Sequence, residues 1–130
     1  DWRPAAAAEH NIKKDGSGQV PQMAFVENPD ILAEVAHSPR AVAGELYCVG
    51  FAAESENLQA NAQAKRVRKG VPLLVANLGP ATFGKDDNAL LLVDDEGVTE
   101  LPRASKRSLA QQLVAEIARR VKGADVKELE

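Results

Sequence analysis

Two apolar segments joined by a polar helical segment constrain the fold of this chain most strongly. Residues 46–51 and 71–76 are almost continuously apolar and do not alternate with polar residues. Strands of this kind are covered on both faces, as parallel strands between helices are. The segment from Ser55 to about Lys69 is polar, and Gly70 follows it as the type of residue that ends helices. Together these segments predict a β-α-β unit.

Shorter signals flank this unit on its amino-terminal side. Residues 20–27 predict a strand after an irregular segment at 1–19. Asn28-Pro29 predicts the start of a helix, because Asn caps helices and Pro is favoured in the first turn. Ser38-Pro39 predicts the end of that helix, because a residue before proline disfavours the helical conformation.

The carboxyl-terminal third predicts a hairpin and a helix. Residues 79–88 predict a loop, and residues 89–93 and 98–101 predict the two strands of the hairpin. A helix follows Ser105 or Ser108. Apolar residues recur every four positions along it and form its predicted core face: Leu109, Leu113, Ile117 and Val121.

The order of these elements predicts an α/β layered domain. Gly123 is expected to end the last helix, ahead of a frayed tail at 124–130. Ligands of such sheets bind beyond the carboxyl ends of the strands. We therefore expect a site after Phe51 and after Ala76.

Composition excludes several classes of protein. The chain has 130 residues, 16 of them basic and 19 acidic, and its net charge of −3 argues against a surface built for nucleic acid or an anionic membrane. It holds neither a membrane-length apolar run nor a signal peptide. A single cysteine excludes a disulfide framework and predicts a reducing, cytoplasmic setting. The chain begins with Asp1 rather than Met, as expected of a piece of a longer protein.

The strongest charge cluster is Lys65-Arg66-Val67-Arg68-Lys69, at the end of the predicted central helix. Lys65 and Lys69 are four residues apart and so lie on one helix face. Two ammonium groups there could hold a polyphosphate, and the alternative is a solvated face that complements the helix dipole. Lys13-Lys14 is either a second arm of this anion site or a solubilising pair.

Other polar residues have a structural alternative that we favour. Gly16-Ser17-Gly18 is too short for a phosphate loop and predicts a turn. His10 and His37 are expected at the surface, and Cys48 is expected to be a buried apolar residue. Asp86-Asp87-Asn88 offers carboxylates for Mg²⁺, but without a third ligand a loop is favoured.

Several motifs in sequence order resemble one family. They are Asp1-Trp2-Arg3-Pro4, Ile12-Lys13-Lys14, Asn28-Pro29-Asp30-Ile31-Leu32, Val49-Gly50-Phe51-Ala52-Ala53-Glu54 and the cluster at 65–69. The chain resembles phosphopantothenate–cysteine ligase, the synthetase part of a bifunctional coenzyme A biosynthesis protein. The resemblance implies a cytoplasmic, homodimeric, Rossmann-like domain with a mostly parallel sheet and a carboxyl-terminal hairpin.

The resemblance also implies how this chain fits into a longer protein. Residues 1–130 correspond to the carboxyl-terminal portion of the synthetase, with residues 1–19 as a mobile substrate and nucleotide loop. The amino-terminal strands of the domain are expected outside this chain, as is a flavin-dependent decarboxylase domain. No flavin is therefore expected here, and neither a nucleic acid nor a membrane is an expected partner.

The implied reaction joins 4′-phosphopantothenate to L-cysteine. Phosphopantothenate attacks CTP to give a phosphopantothenoyl-CMP intermediate and pyrophosphate, and the cysteine amine then displaces CMP. Mg²⁺ is expected with the nucleotide, held largely by its triphosphate.

The resemblance assigns residues to this site by position. Pro29, Asp30, Ile31 and Leu32 match the segment that reads the cytosine. Phe51 matches a residue lining the base pocket, Lys65 and Lys69 match two nucleotide-contacting lysines, and Asp1 matches an aspartate at the nucleotide.

The sequence departs from the family pattern at two positions. The family carries Lys-x-Lys-Lys where this chain has Asn11-Ile12-Lys13-Lys14, so Asn11 replaces the lysine tied to catalysis. Asparagine lacks the charge that would stabilise a developing anion, and Lys13 is the residue that could replace it. Leu78 stands where the family usually has aspartate.

Two alternatives remain at this point. A catalytically impaired structural module would dimerise through the strand near Phe25 and the hairpin at 89–101. A nucleic-acid-binding role for residues 65–69 predicts a steep dependence of affinity on salt, and the net charge and few aromatic residues oppose it.

Overall fold

A computed structural model of the protein describes residues 1–78 and 84–127. The chain divides into two compact units, Asp1–Asp30 and Ile31–Glu130. In the first unit, β1 (Trp2–Pro4) and β2 (Phe25–Glu27) form an antiparallel ribbon in which Trp2 pairs with Glu27. The prediction of strand 20–27 is confirmed only for its last three residues. Residues 2–4 were predicted to be irregular, but they form strand β1. Its only described strand partner is β2, which is distant in sequence, so local sequence provided no signal for it.

The second unit holds a four-stranded sheet and four described helices. The helices are α1 (Ile31–Ala36), α2 (Pro39–Val42), α3 (Leu58–Lys69) and α4 (Lys106–Lys127). The strands are β3 (Val49–Glu54), β4 (Leu73–Leu78), β5 (Asp87–Val93) and β6 (Val98–Ser105). None of the described helices combines the length and the apolar character needed to cross a membrane.

The sheet is mixed, with strand order β3-β4-β5-β6. Strands β3 and β4 are parallel, whereas β5 runs antiparallel to β4 and β6 antiparallel to β5. The prediction of a mostly parallel sheet is therefore wrong for the described strands. The cause is the connection at 79–86, because a parallel crossover needs about a dozen residues or more. The predicted hairpin is confirmed as β5 and β6.

The predicted β-α-β unit is confirmed as β3, α3 and β4. Helix α3 begins at Leu58, after Asn57, which adopts a left-handed conformation with φ of 46°. Gly70 ends α3 as predicted, with φ of 72°, and its N–H donates to the carbonyls of Arg66 and Val67.

Several predicted boundaries shift by a few residues. Helix α1 starts at Ile31 rather than at Asn28-Pro29. Ser38-Pro39 ends α1 and also starts α2, because the Ser38 hydroxyl accepts the N–H of Ala41 and Pro39 takes the first helical position. The expected loop is shorter, since β5 already begins at Asp87.

The last helix is longer than predicted. Gly123 does not end α4, which continues to Lys127. A helical glycine costs only about 1 kcal/mol relative to alanine, so it marks a helix end only when the chain must adopt a left-handed turn there. The residues at 79–83 and 128–130 lie outside the described part of the chain.

The core lies on both faces of the sheet. On one face, α1 and α3 cover a cluster that includes Val71, Leu74 and Val93. On the other face, α4 contributes Leu113 to a cluster with Leu73 and Val75. Because β4 contributes to both clusters, its covered position explains the continuous apolar run in the sequence.

Candidate functional site

Strand β3 presents two different faces. Among the described strands β3 pairs only with β4, so it lies at an edge of the sheet. Phe51 is in register with Val75 and so lies on the sheet face that packs against α4. The Phe51 side chain is nevertheless 69% exposed. Glu54 closes the strand and is buried, on the same face as Gly50 and Ala52. A large exposed aromatic ring and a buried carboxylate thus lie within one short strand.

The buried carboxylate of Glu54 has a basic partner on α3. The Nζ of Lys65 lies 2.5 Å from Oε1 of Glu54. The Glu54 side chain is 10% exposed and that of Lys65 is 36% exposed. Within the described residues, Oε1 of Glu54 receives no hydrogen bond with acceptable geometry. Its negative charge is therefore balanced by the nearby Lys65 ammonium as an ion pair. In the sequence Glu54 stands out only as part of a motif, although a charged residue that ends an apolar strand signals a buried ion pair.

The cluster at 65–69 divides into residues with different roles. The guanidinium of Arg66 turns toward the sheet, where Nε donates to Oε1 of Gln63 and Nη1 donates to the carbonyl of Val71. Lys65 and Lys69 are both half-buried, one helical turn apart, and Arg68 is exposed. Arg66 therefore stabilises the end of α3, and Lys65 and Lys69 remain the candidates for binding an anion.

Helix α1 is held against β3 by close packing. Gly50 leaves room for neighbouring side chains, since a Cβ there would lie 2.7 Å from Cδ1 of Leu74 and 3.1 Å from Cδ2 of Leu32. Leu32 packs on the core, whereas Ile31 is 71% exposed. Of the two α1 residues expected at a base, Ile31 is thus the accessible one, and Leu32 positions the helix.

The remaining predicted site residues belong to the first unit. There the N–H of Asn28 donates to the Asp1 carbonyl at 2.8 Å. Arg3 Nη1 donates to the Glu27 carbonyl and to Oδ1 of Asn28. The start of the chain is thereby fixed next to the segment that contains Pro29 and Asp30. Asn11 and Lys13 are exposed and lie outside regular secondary structure.

The opposite end of the sheet carries a closed polar network. The Asp94 carboxylate accepts hydrogen bonds from Arg120 Nη1 at 2.7 Å and from the N–H groups of Glu96 and Gly97. Burial alone would raise the pKa of Asp94, but these hydrogen bonds outweigh it and the pKa lies below its usual value. Gln63 Nε2 on α3 donates to the Asp94 carbonyl, so the network joins both helix layers.

Arg120 completes this network on α4. Its Nε donates to Oε1 of Glu116 at 3.1 Å. The hydrogen bond from Arg119 is the largest cause that holds the pKa of Glu116 below its usual value, and Arg120 adds to it. Sequence reasoning missed this network, because only the folded helix brings Arg120 to the hairpin turn.

Other candidate residues have structural roles. Ser17 donates from its N–H and its hydroxyl to Oδ1 of Asp15, which confirms a turn there. His37 is exposed as expected, with Nδ1 2.7 Å from the Ala33 carbonyl, and Cys48 is buried. Asp87 forms an ion pair with Arg103 at 3.1 Å.

No metal site is built by the protein in the described ranges. Across residues 1–78 and 84–127, no three acidic, histidine or cysteine side chains cluster closely enough to hold a metal ion. Two of the three potential ligands at 86–88 are engaged elsewhere, since Asp87 pairs with Arg103 and Oδ1 of Asn88 accepts the N–H of Ala89. These residues do not fit a Mg²⁺ site of their own.

Comparisons with known proteins place this geometry in a family. Residues 1–121 match the model of the DNA/pantothenate metabolism flavoprotein C-terminal domain. The chain is 40% identical over 128 residues to the coenzyme A biosynthesis bifunctional protein CoaBC of Escherichia coli strain K12, covering 92% of this chain and 30% of that protein. It is 37% identical over 117 residues to CoaBC of Vibrio cholerae, covering 88% of this chain and 29% of that protein.

Solved structures show the same fold. A crystal structure of the C-terminal domain of CoaBC aligns with a TM-score of 0.69 at 22% identity, covering 95% of this chain and 50% of that one. The DNA/pantothenate metabolism flavoprotein from Streptococcus pneumoniae aligns with a TM-score of 0.62 at 17% identity, covering 82% and 45%.

The chain thus spans about three tenths of the curated relatives it matches. Those relatives are named for coenzyme A biosynthesis, and they do not favour a purely structural module. The chain belongs to the family of the DNA/pantothenate metabolism flavoprotein C-terminal domain, as its residues 1–121 and its relatives establish.

Proposed function

We propose that this chain supplies the CTP-binding part of a phosphopantothenate–cysteine ligase acting in coenzyme A biosynthesis. The observation that carries the proposal is Lys65 and Lys69, half-buried on α3, in a domain whose relatives are named for this biosynthesis. Carboxyl ends of strands in α/β sheets are the usual places for nucleotides. Phe51 and Lys65 lie on two sides of one such strand.

The reaction activates a carboxylate that is otherwise unreactive toward amines. The carboxylate oxygen of 4′-phosphopantothenate attacks the α-phosphorus of CTP and pyrophosphate leaves, which gives a phosphopantothenoyl-CMP. The amine of L-cysteine then attacks the acyl carbon, CMP leaves with the bonding electron pair, and the amine loses a proton.

The chain's residues would bind and orient the nucleotide. Lys65 and Lys69 would balance the phosphate charges, and the Phe51 ring would contact the base. The family pattern assigns the backbone of Pro29, Asp30, Ile31 and Leu32 to the cytosine edge, and it assigns Asp1 to the nucleotide. Asn11 occupies the position of the family's catalytic lysine, and Lys13 is the cation that could replace it.

The proposal extends to partners outside the described residues. Mg²⁺ would be bound by the triphosphate. Homodimerisation, a cytoplasmic setting, and completion of a Rossmann-like sheet by an amino-terminal half of the synthetase are proposed from the family, as is a flavin decarboxylase domain in the parent protein.

Calorimetric titration with CTP and with ATP, each with Mg²⁺, tests the proposal on this chain. We expect CTP to bind more tightly than ATP and an Asn11→Lys variant to bind CTP about tenfold more tightly, as one charge-assisted contact can give. Equal affinity for both nucleotides, or no binding of either by the folded chain, would contradict a CTP site here.

A further inference from the structure

The ammonium of Lys65 lies against Glu54, a residue that has no assigned role. Glu54 and Lys65 come from different elements, the end of β3 and the third turn of α3. The turn between them contains Asn57 in a left-handed conformation, which is uncommon for a residue other than glycine. This turn reverses the chain so that α3 returns along β3 and its lysine reaches the carboxylate.

The two side chains differ in burial, and that difference has a chemical consequence. Glu54 is almost fully covered, whereas over a third of the Lys65 side chain is exposed. The carboxylate is therefore the covered partner of this ion pair, and the lysine side chain keeps access to solvent. An ammonium has three donors, so contact with one oxygen leaves others for a ligand.

A free lysine is a poor binding element, because the rotamer entropy of its long side chain is lost when a ligand fixes it. A side chain held in place beforehand avoids most of that cost when the ligand binds. Protein kinases use a lysine–glutamate ion pair in this way at nucleotide phosphates. The surface ion pair of Arg40 and Glu45, with exposures of 69% and 58%, has no comparable buried anchor.

We infer that Glu54 is a positioning residue, which holds the Lys65 ammonium where it meets the phosphates of a nucleoside triphosphate. The inference rests on the proposed function, since it takes Lys65 as a nucleotide contact. Glu54 itself does not touch the nucleotide. Its negative charge would repel a phosphate, so its benefit must come through Lys65 alone.

A double-mutant cycle on CTP binding tests the inference. We expect Glu54→Gln to weaken CTP binding about fivefold to tenfold and Lys65→Met to weaken it more than tenfold. The double variant should bind no more weakly than Lys65→Met alone, because Glu54 acts only through that lysine. Glu45→Gln makes the same chemical change at a surface ion pair and should leave CTP affinity unchanged.

The outcomes separate the inference from the proposed function. Unchanged or tighter CTP binding by folded Glu54→Gln would overturn the positioning role, as would independent losses that multiply in the double variant. Melting temperatures measured beside the affinities identify a purely structural residue, which would lower the melting temperature without this coupling. If the unmodified chain binds no CTP, the proposed function fails, and the inference fails with it.

Discussion

The two ends of the sheet in the second unit each pair an acid on a strand or turn with a base on a helix, but they use the pair differently. At the amino end of β4, Asp94 and Arg120 are each 15% exposed and are surrounded by further hydrogen bonds. At the carboxyl end of β3, Glu54 is buried and Lys65 is half-exposed. The first ion pair is enclosed by other groups, whereas the lysine of the second remains accessible to solvent.

The difference separates a contact suited to stability from one suited to binding a further anion. A guanidinium can satisfy several acceptors at fixed angles, and Arg120 does so toward Asp94 and Glu116. An ammonium on a flexible stem has fewer constraints and can face a second anion. We therefore expect changes at Asp94 to affect mainly folding and changes at Lys65 to affect mainly binding.

The largest expected effect is on folding. Asp94→Ala removes the acceptor of Arg120 and of two backbone N–H groups, and we expect it to lower the free energy of unfolding by about 2–4 kcal/mol. Urea denaturation measures this loss. Asp95→Ala in the same turn removes an exposed carboxylate and is the control. An equal loss in both variants would contradict the importance of the network.

Acid should weaken the same network. Because the folded pKa of Asp94 lies below its ordinary value of 3.8, the unfolded chain binds more protons between the two values. Stability from Asp94 is thus present above about pH 4 and lost as the pH falls through the folded pKa. In urea titrations from pH 7 to pH 2, the advantage of the unmodified chain over Asp94→Asn should shrink below about pH 4. A constant difference would contradict this assignment.

Lys65→Met should have a smaller effect on folding and a large one on binding. It leaves the buried Glu54 carboxylate without its cation, and we expect a loss of about 1–2 kcal/mol in the free energy of unfolding. Urea denaturation measures the loss, with Lys122→Met on an exposed helix position as its control. A folded Lys65→Met variant that is as stable as the unmodified chain would show that the ion pair does not stabilise this end of the sheet.

The smallest effect is expected at the exposed ion pair. Glu45→Gln should change the free energy of unfolding by less than about 0.5 kcal/mol, since exposed pairs are screened by water. Urea denaturation checks this value. A loss comparable to that of Lys65→Met would remove the distinction between buried and exposed pairs on which the comparison depends.

Local sequence patterns predicted much of the fold. The apolar runs and Gly70 located the β-α-β unit, because burial on both faces and a left-handed helix end leave clear local signals. The direction of β5 did not follow from its own residues. It depends on the short connection after β4, which leaves no room for a crossover.

Polar partners were harder to predict than elements. The spacing of Lys65 and Lys69 was enough to place them on one helix face. The inward turn of Arg66 and the pairing of Asp94 with Arg120 were not predicted, because each depends on elements that meet only after folding. Glu54 stood in a recognised motif, but its partner is set by the turn at Asn57.

Lysine acylation followed by mass spectrometry tests most directly whether the end of the sheet that carries Glu54 and Lys65 binds a nucleotide. The acylation rate of each lysine is measured on this chain without nucleotide, with CTP and with ATP. We predict that CTP slows acylation of Lys65 and Lys69 more than ATP does, while Lys122, on an exposed position of α4, reacts at an unchanged rate. Acylation of Lys65 and Lys69 that is unaffected by CTP would contradict the proposed site.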